Sequence, residues 1–565
     1  MAWMRRKIGR DACLKGEAPR ILHPKMSGGV RMVDIKTELL AWVDTNRTRL
    51  SDWNQTIWEF GETAWREERS AAWYVARLRE EGFEVEEGSA GMPTAFSARW
   101  SNGTGPSAMT YAEYDAVPGN CQKAAPYRAP REGLSRFAGG HTDPHSALGM
   151  SGFGGLLATK AMMQKHDIKG TLRFMGEPAE KVRGSKPIHA AHGYYDGLDG
   201  IVSFHPFYML PLSNTCRWET HCGPYYGVIY EFLCEEPESW LAGVGRSASG
   251  NPIPAAHTMA RAPGANDAVT AMFTLGKTAR DHMLPHSGTW TVNETILASG
   301  QATADNLPAQ MAQIMYAIRA PSREMLDRIL AVLDRTAEAA ALASHCTVKR
   351  HWVSKSRPGL ANHAMAQRTY RNLERVGAPH FDGDAIPAAH AIQKELGLAP
   401  IEKPYLDAIE TLMQPEEAER LMRAEIPSWQ THYTSDDYTD MTWHAPTVRL
   451  YIGRPALKAP EGFTYPDWVM NALGGMRPCI DPMILTASKT IGLTLLDIIS
   501  DAEFRADART EFNTRTGGGV GGSLWEAPWC DYPAPIEHPW PRYIGTSKGT
   551  EWWIPETAID RALHR

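Results

Sequence analysis

The chain has 565 residues, 43% hydrophobic and 22% charged, with 59 basic against 65 acidic side chains and a net charge of −6. That length exceeds one compact core, so two domains with appendages are expected. A slightly acidic chain with no long basic run beyond its first residues argues against a nucleic-acid partner. The eight cysteines are scattered without a CxxC pair. That points to reduced thiols in a cytoplasmic protein and away from a disulfide framework or a thiolate zinc site. No apolar stretch approaches the ~20 residues of a membrane helix, so no membrane partner is expected.

Residues 1–31 are basic but lack the apolar segment of a secretory signal, and read either as a disordered N-terminal arm or as upstream sequence before a start at Met26 or Met32. Apolar residues at helical spacing predict helices over 37–42, 53–65 and 70–79, with Gly82 as a stop before a short strand at 83–85. A buried strand at 107–112 runs into Glu-Tyr-Asp-Ala-Val-Pro-Gly. A helix at 151–165, a strand at 171–175, a helix at 189–195 and a strand at 200–204 follow. Strands alternating with helices predict an α/β fold with parallel neighbours.

Near Asn214 the pattern changes. Strands at 228–233, 289–298 and 310–318, with helices at 267–284 and 323–342, read as an α+β insert. From about Arg357 the chain returns to the first domain and closes it with a helix at 485–500. The Gly-rich run 517–522 has no following Lys-Ser/Thr, so it is a connector and no phosphate loop. The expected organisation is therefore an arm (1–31), a catalytic domain in two parts (32–212 and 357–502), an inserted domain (214–352) and a Trp/Pro-rich strap (503–565).

Three polar clusters are expected just after strands: Glu113-Tyr114-Asp115, the run from Glu177 to Lys181, and His205-Pro206. A fourth, from Gly140 to His145, precedes the helix at 151. Ligands gather at the carboxyl ends of strands in open α/β sheets. A lone histidine there is more often a hydrogen-bonded structural residue than a ligand. Four clusters of His, Asp and Glu together favour a metal site.

Several motifs carry a family resemblance over about residues 32–501: GMPTAFSA at 91–98, EYDAVPG at 113–119, PAE at 178–180, FHP at 204–206, the DNLPAQ and YAIRAP block at 305–321, and SDDYTDMTWHAPT at 435–447. In these the chain resembles the dinuclear metallohydrolases that include aminoacylase and glutamate carboxypeptidase. Within that family it is most similar to the branch of indole-acetyl-amino-acid hydrolases and p-aminobenzoyl-glutamate hydrolase.

The resemblance implies a zinc-peptidase-like catalytic domain, a mixed sheet flanked by helices, with an inserted lid and dimerisation domain. It implies Asp143, His145 and His205 as metal ligands, with His141 as the alternative histidine in a shifted register. Glu180 is then the general base and Asp115 the carboxylate that orients a ligand histidine. The family's second glutamate is Lys181 here, and its late ligand histidine is Phe463. Both private ligands of one metal are thus missing.

These losses imply a single divalent ion per subunit, Mn or Zn with Co or Fe as options. Lys181 either supplies positive charge beside the lost ion or is a surface residue paired with a carboxylate. Lid residues His257, Asn306 and Arg319 correspond to substrate contacts, and a homodimer or larger homo-oligomer forms through the lid.

The expected reaction is hydrolysis of a C–N bond in an N-acyl or N-aroyl amino-acid-like small molecule. An aminohydrolase releasing ammonia from an activated aromatic amine is the alternative, and a non-catalytic binding protein the second. Tyr114, Phe204, Phe207, Tyr208, Tyr438 and Trp443 lie beside the expected site, which suggests an aromatic substrate; the same rings could equally pack the core.

Overall fold

A computed structural model describes residues 27–207, 211–234, 263–284, 289–299, 308–546 and 549–553. Most of the basic arm, together with Tyr208, His257 and Asn306, lies outside the described residues.

Among the described residues, eleven of thirteen strands build two sheets, and the last two, Arg542–Thr546 and Gly549–Trp553, pair antiparallel by themselves. The eleven are β1 (Glu84–Glu87), β2 (Phe96–Ser101), β3 (Ser107–Ala112), β4 (Thr171–Gly176), β5 (Gly200–Phe207), β6 (Thr215–Cys216), β7 (Tyr225–Leu233), β8 (Thr291–Ala298), β9 (Met311–Arg319), β10 (Thr347–Ser356) and β11 (Thr447–Gly453). The larger sheet has the order β1-β2-β4-β3-β5-β11-β6. Its central four strands, β4, β3, β5 and β11, run parallel. β1, β2 and β6 are antiparallel additions, so the sheet is mixed and helices flank it.

Strands buried on both faces read as continuous apolar runs. β3, β5 and β11 are buried along nearly their whole length. Such runs identify themselves as core in the sequence. β2, with its Arg and Trp at the rim, is visible only as a motif.

The helix His145–Lys165 is buried almost all round and packs on β3 and on the helix Arg477–Ser500. The two helices touch backbone to backbone. A Cβ on Gly155 would stand 2.9 Å from the amide nitrogen of Gly492, and the Thr159 hydroxyl donates to Gly492 O at 3.0 Å. The first helix starts six residues before its expected start. Gly149, Gly152, Gly154 and Gly155 lower its intrinsic propensity, and tertiary burial overrides them.

The helix Arg477–Ser500 likewise begins eight residues early, because a proline in the first turn is compatible with a helix and Pro482 is accommodated farther in. It is also long and apolar enough to cross a membrane, with a mean hydropathy of 1.4 over its best window. That corrects the expectation that no such stretch exists. Its residues are 83% buried inside the fold over that window, so core packing accounts for its apolarity.

The second sheet has the antiparallel order β10-β7-β9-β8. The helices Ala265–His282 and Arg323–Ala343 cover it and form a separate core with Val228, Ile314, Leu326 and Leu333. β6, just after Asn214, still belongs to the large sheet. β10 carries the small sheet to Ser356.

The tail opens with a helix, Ala502–Thr516, so the strap expected from 503 begins only after Thr516. From Trp525 onward it lies against β10 of the small sheet and against turns and loops beside the large one. Trp525 donates to Trp443 O at 2.7 Å, the Lys355 amide donates to the Tyr532 hydroxyl at 2.8 Å, and Arg66 donates to Ile536 O and His538 O.

Candidate active site

Parallel neighbours bring their carboxyl ends to one edge of the sheet, and the site is assembled there. β3 ends at Ala112 and delivers Glu113 and Asp115. β4 ends at Gly176 and delivers Glu177, then a single 3-10 turn with Glu180 and Lys181. His205 sits near the end of β5, opposite Tyr451, and Arg454 follows β11. His145 opens its helix. Gly149 lets that helix approach: a Cβ there would lie 2.8 Å from Glu113 O. Ala179, just before Glu180, has φ 58°, a left-handed conformation that alanine rarely adopts. Its amide donates to Glu67 Oε1 at 2.7 Å, which pins the strained turn.

His145 Nδ1 donates to Asp115 Oδ1 at 2.7 Å, leaving Nε2 to face inward. Asp115 Oδ2 also accepts from the Lys181 amide at 2.8 Å. Inside, the Lys181 ammonium lies 2.8 Å from Asp143 Oδ2, 3.1 Å from His145 Nε2 and 3.5 Å from Glu180 Oε2. The other Asp143 oxygen accepts from Arg454 at 2.8 Å. His205 Nδ1 donates to Pro206 O at 2.8 Å, and its ring stands perpendicular to that of His145 with centroids 5.9 Å apart. Asp143 and Lys181 remain 39% and 21% exposed, while Glu113 and His145 are fully buried. The mouth of the site therefore opens on the Asp143 side.

Among the described residues, two groups of donors converge closely enough to hold a cation: Glu113, His145 and His205, and separately Glu180, Asp436 and Asp437. Lys186 ties the two together through ion pairs of 2.8 Å to Glu113 and 2.7 Å to Asp437. Two imidazoles with a carboxylate suit Zn, Mn, Co or Fe. The fit has a further sign: Glu113 Oε2 is buried without a hydrogen-bond partner among the described residues.

The electrostatics follow from burial and charge. Burial works against ionised Glu180, yet Lys181, His145 and Arg183 hold its carboxyl well below the usual range. Burial would lower the Lys181 pKa, but Asp143 and Glu180 push it up, so the ammonium stays charged. Burial, with Arg449, lowers His205 to about 3 and keeps it a neutral imidazole, the form that ligates metals. Burial raises Glu113 despite Lys186.

Asp115, Asp143, His145, Glu180, Lys181 and His205 thus meet in one place. Lys181 is no surface residue; it sits among the donors. Asp143 does not join His145 and His205 as a close donor group, because Lys181 and Arg454 occupy its two oxygens. His141 is buried beside Ile57 O at 3.4 Å, and burial lowers its pKa to about 3; it belongs to neither donor group. Phe463 packs edge-on against Tyr465.

Arg319 lies over the Tyr225 ring, which also carries Arg183, and Arg183 is among the charges acting on Glu180. Arg319 also lines a cleft of about 280 Å³ with Trp290, Gln430 and His432. Most of the expected aromatic wall packs the core: Tyr114, Phe204 and Tyr438 are fully or nearly fully buried. Phe207 alone among the described rings of that set stands beside His205, at 6.3 Å.

Sequence reasoning missed Glu113 as a donor, together with Lys186, Asp436, Asp437 and Arg454. The only signal was position, since Glu113 heads the cluster after β3 and the two aspartates sit in the SDD motif.

No family model matches the chain. Among curated proteins it is 24% identical over 480 residues to a component of the p-aminobenzoyl-glutamate hydrolase of Escherichia coli, covering 83% of this chain and 93% of that one. It is also 25% identical over 345 residues to Xaa-Arg dipeptidase of Mus musculus, covering 58% of this chain and 68% of that one. Among solved structures it resembles an aminobenzoyl-glutamate utilization protein from Klebsiella pneumoniae at 12% identity and TM-score 0.47, covering 81% of this chain and 98% of that one. A dinuclear metal-binding peptidase of Bacillus subtilis gives 15% identity and TM-score 0.40, covering 81% and 99%.

Proposed function

We propose that the chain is a metal-dependent hydrolase that cleaves the amide bond of an N-acyl or N-aroyl amino-acid-like small molecule. One observation carries the reading: a buried Glu180 stands 3.4 Å from a histidine whose far nitrogen is fixed by Asp115. A purely binding protein has no need for such a base. When bound, a divalent ion supplies Lewis acidity, making water more acidic and polarising a carbonyl.

The chain's own groups do the rest. Glu180 accepts a proton from the attacking water and returns it to the leaving nitrogen. Asp115 fixes Nδ1 of His145 as the donor, so that Nε2 faces Glu113, Glu180 and the Lys181 ammonium. Lys181, anchored on Asp143, offers positive charge to the oxyanion that develops on the carbonyl oxygen. Arg183 and Arg319 flank Tyr225 and suit a substrate carboxylate. A single ion per chain is part of the proposal, with Lys181 as the remaining positive charge, as is assembly into homo-oligomers through the small sheet.

The test is a panel of N-acyl and N-aroyl amino acids and aminobenzoates of matched size, assayed for free amino acid and for ammonia. Release of amino acid that stops on chelation supports amide hydrolysis. Ammonia from an aminobenzoate without amide cleavage replaces it with the aromatic deamination reading, and turnover of neither leaves the binding reading.

A further inference from the structure

We infer that the carboxylate ligand of the metal is Glu113, and that the Asp143 position has been given over to Lys181. The inference rests on the metal-dependent reading but concerns which residues bind, so it is tested without substrate.

Asp143 cannot serve an ion and Lys181 in the same space. The ammonium is 2.8 Å from Asp143 Oδ2 and 3.1 Å from His145 Nε2, so it stands in the angle between them. An ion bonded to both atoms at roughly 2.0–2.2 Å would have to enter that angle against a full positive charge. Arg454 holds the other oxygen at 2.8 Å, which makes Asp143 the partner of two cations already.

Glu113 is placed in the opposite way. Its side chain is fully buried, Oε1 is ion-paired with Lys186 at 2.8 Å, Oε2 points to His145 Nε2 at 3.4 Å, and neither oxygen has a hydrogen-bond partner among the described residues. A buried carboxylate oxygen left unpaired is costly, and a cation between Glu113, His145 and His205 would satisfy it. The donor atoms of these three already lie within 4.8 Å of one another. Both imidazoles are pre-set, since their Nδ1 atoms are committed to Asp115 and to Pro206 O. Lys186 then acts as a positioning residue that holds Glu113 toward the histidines. The opposing account makes Glu113 a structural partner of Lys186 alone.

The experiment is titration of the chelator-stripped full-length protein with Mn²⁺, read by electron paramagnetic resonance of the free ion. Glu113→Gln should weaken Mn²⁺ binding at least ~10-fold, whereas Asp143→Asn should stay within about 3-fold of the parent. In the double variant Glu113→Gln/Lys186→Met the lysine, which would otherwise keep only Asp437 as its partner, is also removed; it should show the same loss, with folding checked by circular dichroism. The ligand-field absorption of the Co²⁺ form should change in Glu113→Gln and not in Asp143→Asn. Binding that survives Glu113→Gln but collapses in Asp143→Asn would overturn the assignment. Absence of amide turnover with intact Glu113-dependent binding would instead sink the proposed function and leave this inference standing.

Discussion

Glu177 and Glu180 lie three residues apart after the same strand, yet their surroundings are opposites. Glu177 is saturated: it accepts from Ser185 at 2.8 Å, His189 at 2.9 Å and Tyr195 at 2.7 Å, and His189 in turn contacts Ser89 at 2.8 Å. Burial opposes its ionisation, but His189 keeps it ionised. Glu180 has no such cage. It faces His145 at 3.4 Å and Lys181 at 3.5 Å, with the two aspartates Asp436 and Asp437 close by. A fully satisfied buried network fixes a structure. A cluster of convergent, incompletely paired charges is what a reacting group needs. The same chemistry, a buried glutamate, serves stability at one position and a site at the other.

The comparison breaks most visibly at Glu180. Glu180→Gln should lower kcat by roughly 10²–10⁴-fold, the range for a lost general base, with folding and Mn²⁺ binding retained. Glu177→Gln should leave kcat of the folded protein close to normal and cost roughly 1–3 kcal/mol of stability, read by denaturant titration, because buried partners are left unpaired. Equal kinetic losses in both variants would erase the contrast.

Lys181→Met should lower kcat by about 10²-fold, as for other charge-stabilising groups. It should also shift the pH profile. Lys181 is the strongest influence holding Glu180 down, and without it burial raises the carboxyl. Since the base must be ionised, the acid limb of kcat/KM should move to higher pH. An unmoved limb would mean that Lys181 does not act on Glu180.

How much of this was legible beforehand divides along the same line. The parallel strands expected at 107–112, 171–175 and 200–204 announced themselves because buried strands are mostly apolar; β4 and β5 run on to Gly176 and Phe207, and the three bring Asp115, Glu180 and His205 to one edge. Lys181 stood out only by its place in a motif, and its 2.8 Å contact with Asp143 comes from a turn whose strained Ala179 no periodicity reveals. Glu113 and the aspartates Asp436 and Asp437 were hidden for a plainer reason. Acidic residues next to strands are usually solvated, and only the fold buries these. His257 and Asn306 lie outside the described residues.

Away from the site, effects should be smaller. Burial, with Arg217, lowers His432 from its ordinary 6.5 to about 4. Its folded form stays neutral while the unfolded form takes up a proton. Stability linked to it is therefore fully present above about pH 6.5 and is lost as pH falls toward 4. His432→Gln should flatten the fall in Tm between pH 7 and pH 5; an unchanged slope would show that His432 is not the group concerned. The smallest effect belongs to the strap. Trp525→Phe removes one hydrogen bond to Trp443 O and should cost about 0.5–1.5 kcal/mol, seen by thermal melting.

The central claim, one divalent ion working with Glu180 while Lys181 takes the place of a second, is tested most directly by metal stoichiometry at full activity. Stripped protein is reloaded stepwise with Mn²⁺ or Zn²⁺, and bound metal per chain is measured by elemental analysis alongside amide hydrolysis. The account predicts that activity saturates at about one equivalent; saturation only at two equivalents would contradict it.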